Sequence, residues 1–211
     1  MLIQRLFRFA ALATISLVIS MPAWAQTFSS GSTGADGALD LTNGSQTVQV
    51  PPSGIFNYTT VNVPAGQTLS FTNNLTNTPV IMLAQGNVTI AGTINLSSPT
   101  GSSTPGPGAF YGGGPGTPGW GPGGGAAQPD GGQWMGPLTL FPNIGGSGGA
   151  GGYYNAGPEY GCNTYAVGGG GGGGAITIAS STSITISASG AVQASGTCLP
   201  SEQTGIDIVP R

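Results

Sequence analysis

The sequence predicts an all-β fold: a short β-solenoid or β-helix-like stack of strands, interrupted by a Gly/Pro-rich insert, with a β-sandwich as the alternative. Three observations predict it. Short β-branched runs of three to five residues recur with turn signals between them, the mark of small all-β architectures. Helix formers are scarce, while glycine and proline make up 41 and 17 of the 211 residues. The strand wording also occurs twice, before and after the glycine-rich region, as in a repeat that must stack on its neighbours to bury both faces.

In chain order, residues 1–25 read as a secretory signal peptide. Arg5 and Arg8 supply its positive end, Phe9 to Ile19 its apolar run, and Ala23-Trp24-Ala25 the small residues expected before cleavage at Gln26. The apolar run is shorter than the ~20 residues of a membrane span.

Residues 26–98 carry the first strand signals: Val48 and Val50, Ile55 and Tyr58, Val61 and Val63, Leu69 and Phe71, Val80 to Leu83, Val88 and Ile90, Ile94 and Leu96. Pro51 to Gly54, Pro64 to Gly66, Asn73-Asn74, Gln85 to Asn87 and Ala91-Gly92 punctuate them as turns. Residues 99–174 form the Gly/Pro-rich insert, expected to be partly disordered or to adopt polyproline II strands, which approach one another only where glycine removes the side chain. Residues 175–198 return to strands, with Ile176 and Ile178 echoed by Ile184 and Ile186. The tail, 199–211, shows no further rung. Residues 26–198 are expected to form one domain. The seven glycines Gly168 to Gly174 are expected to mark the return of the chain from the insert to the stack, passing close to packed backbone.

The wording of TGADGALDL, FNYTTVNVPAGQTLSF, NTPVIMLAQGNVTIAGTINLS and GGGGGGGAITIASSTSITISASGAV resembles an uncharacterised family of exported bacterial glycine-rich proteins with parallel β-helix-like strand repeats. The resemblance covers nearly all of the chain beyond residue 25. It implies export and a stacked-strand fold, and little about activity.

Charge excludes several functions. Beyond residue 25 there is no lysine or histidine, and Arg211 is the single arginine; the acids are Asp36, Asp40, Asp130, Glu159, Glu202 and Asp207. Nucleic acid needs phosphate-neutralising cations, so it is not an expected partner. A basic patch for anionic lipid is missing for the same reason, and no membrane segment is expected after cleavage. Ser-His-Asp and Cys-His catalysis need an imidazole. The glycine run is followed by Ala175-Ile176-Thr177 rather than Lys-Ser/Thr, so it is no phosphate loop. The acids are dispersed, against a glycosidase carboxylate pair. No catalytic residue and no cofactor is therefore assigned, and the chain is expected not to be an enzyme.

Four features remain as candidate sites. Cys162 and Cys198 in an exported chain read as a disulfide closing about 37 residues, worth about 3–4 kcal/mol; two unpaired thiols or an intermolecular link are the alternatives. Asp36, Asp40 and Asn43 are weak Ca²⁺ candidates, against a turn in which they bond their own backbone. Trp120, Trp134, Tyr153 and Tyr154 are possible glycan-stacking residues; packing on glycine backbone as a small core is the competing expectation. Thr spacing is too irregular for a flat ice-binding array.

The resulting expectation is an exported, non-enzymatic structural or adhesion-type protein of the cell surface, extracellular space or periplasm. Its expected partners are other copies of itself, surface glycans or matrix. The alternative is a carbohydrate-binding or carbohydrate-active β-helix protein.

Overall fold

The computed structural model describes residues 27–126, 143–154 and 165–197. The described residues are all-β, with no helix. Strands β1 (Gly37–Asp40) and β2 (Gln46–Gln49) form a first pass of the chain, and β3 (Ile55–Val63) and β4 (Thr68–Thr72) a second. A third comprises β5 (Val80–Ala84), β6 (Val88–Ile90) and β7 (Thr93–Asn95). After the insert, which contains β8 (Gly152–Tyr154) and β9 (Tyr165–Val167), a fourth pass comprises β10 (Ile176–Ser180), β11 (Ile184–Ile186) and β12 (Ala191–Gln193).

Each pass lies parallel on the one before it. β3 pairs with β1, β5 and β6; β10 pairs with β5, and β11 with β6. The order of the second sheet is β12-β7-β4-β2. Among the described residues only β8 and β9 pair antiparallel. In-register pairing stacks like residues. Phe56, Met82 and Ile178 share one column; Leu39, Val61, Val88 and Ile184 share another; Leu69, Ile94 and Val192 a third. Period-two alternation sends these side chains to one face of their strands. Val63, Leu69, Val80, Met82, Val88, Ile90 and Ile94 are fully buried. Phe56 stacks on Tyr58, with ring centroids 5.7 Å apart and planes within 6°.

The alternation breaks once inside β3. Tyr58 and Val61 are both buried, three residues apart, with Thr59 and Thr60 between them. Here β3 turns a corner: residues before it pair with β5 and residues after it with β6. A conserved sense runs through the ladder. Inward-facing residues donate their N–H to the following pass, as Leu41 does to Asn62, Val61 to Asn87, Val80 to Ala175 and Val88 to Ser183. Outward-facing residues donate to the preceding one, as Ile81 does to Gly54 and Ser181 to Ala84.

The described part of the insert is held by backbone hydrogen bonds at three-residue intervals. Gly169, Gly172 and Ala175 donate to the carbonyls of Gly113, Phe110 and Pro107, at 2.7, 3.0 and 2.9 Å. Gly146 and Gly149 donate to Gly173 and Gly170, at 2.8 and 2.9 Å. Gly171 and Gly174 donate to Ser102 and Leu96. Successive glycines of this run thus face three different neighbours. A side chain at Gly169 would run into the Gly149 carbonyl, one at Gly171 into that of Thr104, one at Gly172 into that of Gly146 and one at Gly173 into that of Ala194. At the margin the demand relaxes. Ile144, Ser147 and Ala150 recur at every third place between glycines, on the face that 145/148 and 146/149 leave free.

The loop after β4 docks this layer on the strands. Asn73 donates its side-chain N–H to the Pro105 carbonyl at 2.8 Å. Asn77, with φ +48°, accepts from the Gly108 N–H at 3.2 Å and donates to the Ala109 carbonyl. At the other corner an N-terminal strap crosses the passes: Ser30 Oγ donates to the Ala84 carbonyl at 2.7 Å, and Ser32 Oγ to that of Tyr58 at 2.8 Å. Among the described residues no buried side-chain nitrogen or oxygen lacks a partner, and no helix is long and apolar enough to cross a membrane.

Candidate functional site

Among the described residues, the glycine layer presents two large aromatic residues to solvent. Trp120 is 68% exposed and Tyr111 50%. Backbone contact brings them together: the Trp120 N–H donates to the Tyr111 carbonyl at 3.0 Å, and the Trp120 carbonyl accepts from Gly148 at 2.9 Å. A side chain at Gly148 would collide with the Tyr111 carbonyl, so a glycine there is what lets the three segments meet. The turn carrying Trp120 is fixed from below. Gly123 donates its N–H to Ser147 Oγ at 2.9 Å. Gly121, at φ +100°, lies under the Phe110 ring, which a Cβ would approach to 2.6 Å.

The aromatics therefore divide. Phe110 packs on glycine, as the sequence predicts for the class, whereas Tyr111 and Trp120 do not. Exposed rings with one apolar face and a polar edge suit flat ligands that also carry hydroxyls. Tyr111 was not singled out from the sequence, because its exposure depends on the glycine turn that follows rather than on its own neighbours. Trp134 lies outside the described residues, as do Asp130, Glu159, Cys162, Cys198 and residues 1–26. Tyr153 and Tyr154 fall on β8, and their side chains also lie outside what is described.

The acidic candidates sit elsewhere. Asp40 accepts from the Thr42 hydroxyl at 2.5 Å, the Asn62 amide at 2.9 Å and the Thr42 N–H at 3.1 Å. The Thr42 hydroxyl, then Asn62, then the Thr42 backbone hold its carboxyl below the usual carboxylate range. Asp36 accepts from the Asn57 N–H at 2.5 Å. Asn43 stands in the turn closed by the Gly44 N–H on the Leu41 carbonyl. Both carboxylates are thus engaged in strand-end bonding, and among the described residues no three of His, Cys, Asp and Glu gather to hold a metal ion. Burial first, and the Asp36 charge second, push the Tyr58 hydroxyl up to about 12.

An open groove of about 550 Å³ runs along the glycine layer between Asn143 to Gly149, Gly170 to Ile176 and Ala194 to Thr197. Its walls are mostly glycine, with Asn143, Ser147 and Thr197 as the polar side chains and Ile144 and Ile176 as the large apolar ones, and none of its lining residues is ionisable. Such a groove offers backbone and side-chain hydrogen-bonding groups and shape.

Comparison with family models, with curated proteins and with solved structures gave no match to this chain.

Proposed function

We propose that this chain is an exported, non-enzymatic structural or adhesion-type protein, a short β-solenoid carrying an ordered glycine layer, which acts at the cell surface, in the periplasm or in the extracellular space. The solenoid reading is supported by the four passes, each laid parallel and in register on the last. The three-residue rhythm of the glycine hydrogen bonds supports a polyproline II layer, whose chains have three residues per turn. Export rests on the leader-like residues 1–25 and on the resemblance to exported glycine-rich proteins.

The observation that carries the functional reading is the surface itself. It is built from backbone, hydroxyls and two exposed rings, and the groove beside it has no ionisable lining residue. That surface recognises by shape and stacking. Surface glycans, matrix or another copy are the partners it fits.

The exposed pair Tyr111 and Trp120 specifically favours the second reading, a carbohydrate-binding protein. A glycan array and a pull-down from envelope extracts, run with the protein beginning at Gln26 and with its Tyr111→Ala/Trp120→Ala variant, test both. Glycan binding lost in the variant establishes the second reading. Retention of a proteinaceous partner without glycan binding supports the scaffold. Turnover of any offered glycan would overturn the non-enzymatic reading.

A further inference from the structure

One side of the seven-glycine run carries donors that nothing meets. Gly169, Gly172 and Ala175 donate to the segment 107–113, and Gly171 and Gly174 to Ser102 and Leu96. Gly149 and Gly146 donate to the carbonyls of Gly170 and Gly173, and Thr197 donates to that of Gly171 at 3.0 Å. With three residues per turn, a third set of N–H groups, those of Gly170 and Gly173, points about 120° from the other two. Among the described residues nothing accepts from either, although Gly173 is buried. A buried N–H without an acceptor is rare and costly. Both glycines line the groove of about 550 Å³, which opens between the segments 143–149 and 194–197.

The chain's own packing does not demand the glycines of the facing wall. A Cβ at Gly145 would come within 2.5 Å of the Ala109 Cβ, and one at Gly148 within 1.9 Å of the Tyr111 carbonyl. One at Gly146 meets nothing nearer than the Gly173 nitrogen at 3.3 Å, and one at Gly149 nothing nearer than the Gly170 nitrogen at 3.5 Å. Side chains there would stand over the two N–H groups, and glycine leaves them uncovered. On the same wall the Ile144 and Ser147 carbonyls accept no N–H among the described residues.

We propose that this groove binds one polyproline II strand of a partner, with glycine at every third place and proline among the others. Two of its carbonyls, three residues apart, accept from Gly170 and Gly173. Its N–H groups reach the Ile144 and Ser147 carbonyls. The residue facing the run is glycine, because at this spacing a side chain meets backbone, as at Gly172 against the Gly146 carbonyl. The residue whose N–H faces solvent is proline, which presets the polyproline II φ. Main-chain bonds to a preformed strand supply the affinity. Neither Tyr111 nor Trp120 lines the groove, so the site holds or fails independently of what those rings bind.

Titration of the full chain with a peptide of four Gly-Ala-Pro repeats, followed by amide NMR and hydrogen exchange, tests it. In the free chain the Gly170 and Gly173 amides are expected to exchange at least about 10-fold faster than those of Gly169 and Gly172. The peptide is expected to shift both signals and to remove that difference. Its all-D counterpart, which coils with the opposite hand, is expected to do neither. Gly149→Leu is expected to weaken binding at least about 10-fold while the Gly169 and Gly172 amides stay protected. Equal exchange of the four amides in the free monomer would overturn the proposal, because the chain itself then fills the groove. So would failure of the all-L peptide to bind, equal binding of the two enantiomers, or unweakened binding by Gly149→Leu. Protection of Gly170 and Gly173 that appears only as a dimer forms in sedimentation would overturn it too, assigning the groove to a second copy.

Discussion

The Asn77 side chain spans the Gly108-Ala109 pair, accepting from the Gly108 N–H and donating to the Ala109 carbonyl. It does so from a left-handed backbone that only glycine and a few polar residues adopt readily. Asn77→Ala is expected to lose both bonds and to strain the loop, costing about 2–3 kcal/mol. Asn77→Gly loses the bonds without the strain and should cost about 1 kcal/mol less. Urea denaturation of the two variants separates the terms.

The seven-glycine run makes a sharper prediction. A methyl at Gly172 would meet the Gly146 carbonyl, whereas one at Gly149 comes no closer than 3.5 Å to the Gly170 nitrogen. Gly172→Ala is expected to destabilise by about 3 kcal/mol or more. Gly149→Ala should be neutral or mildly stabilising, because it restricts the unfolded chain. Equal thermal midpoints for the two variants would mean that the layer does not pack as described.

Met82 is fully buried between Phe56 and Ile178 in the register of the stack. Met82→Ala leaves a cavity there and is expected to cost about 2–5 kcal/mol by chemical denaturation.

Two groups make stability depend on pH in opposite directions. Asp40 is held below its ordinary 3.8, so its contribution is complete above that value and is lost as pH falls through the folded pKa. Asp40→Asn should flatten the acid limb of a stability–pH curve. Tyr58 is raised from 10.0 to about 12, so its contribution is complete below pH 10.0 and is lost as pH rises towards about 12. Tyr58→Phe should remove that alkaline loss and a phenol titrating at about 12 from an absorbance titration.

Legibility followed side-chain pattern. Val88 and Ile90, Ile94 and Leu96, and the Ile176/Ile178 and Ile184/Ile186 pairs announce strands because period-two alternation is written in β-branched residues. The first strand, GALD, is short and half polar, and the sequence read it as a capping or Ca²⁺-binding turn rather than as β1. The corner at Thr59-Thr60 is hidden because two threonines serve equally well in a straight strand. Glycine offers no alternation at all, so the neighbours of Gly169 to Gly174 emerge only from their hydrogen bonds. The exposure of Tyr111 was illegible for the same reason, as was the part played by Asn73 and Asn77; for Trp120 the sequence left stacking and packing both open, and the ring is exposed.

The placement of the insert has a consequence for the order of assembly. Val80 meets Ile176, 96 residues later in the chain, whereas Phe56 meets Met82 after 26. Closing the longer loop costs more entropy and is intrinsically slower. A chain that emerges from its amino end therefore completes three passes early and must hold their last edge open while the glycine segments find one another. The fourth pass arrives last, onto a template already set, and refolding is expected to show a fast phase reported by the Phe56–Tyr58 pair and a slow one reported by β10.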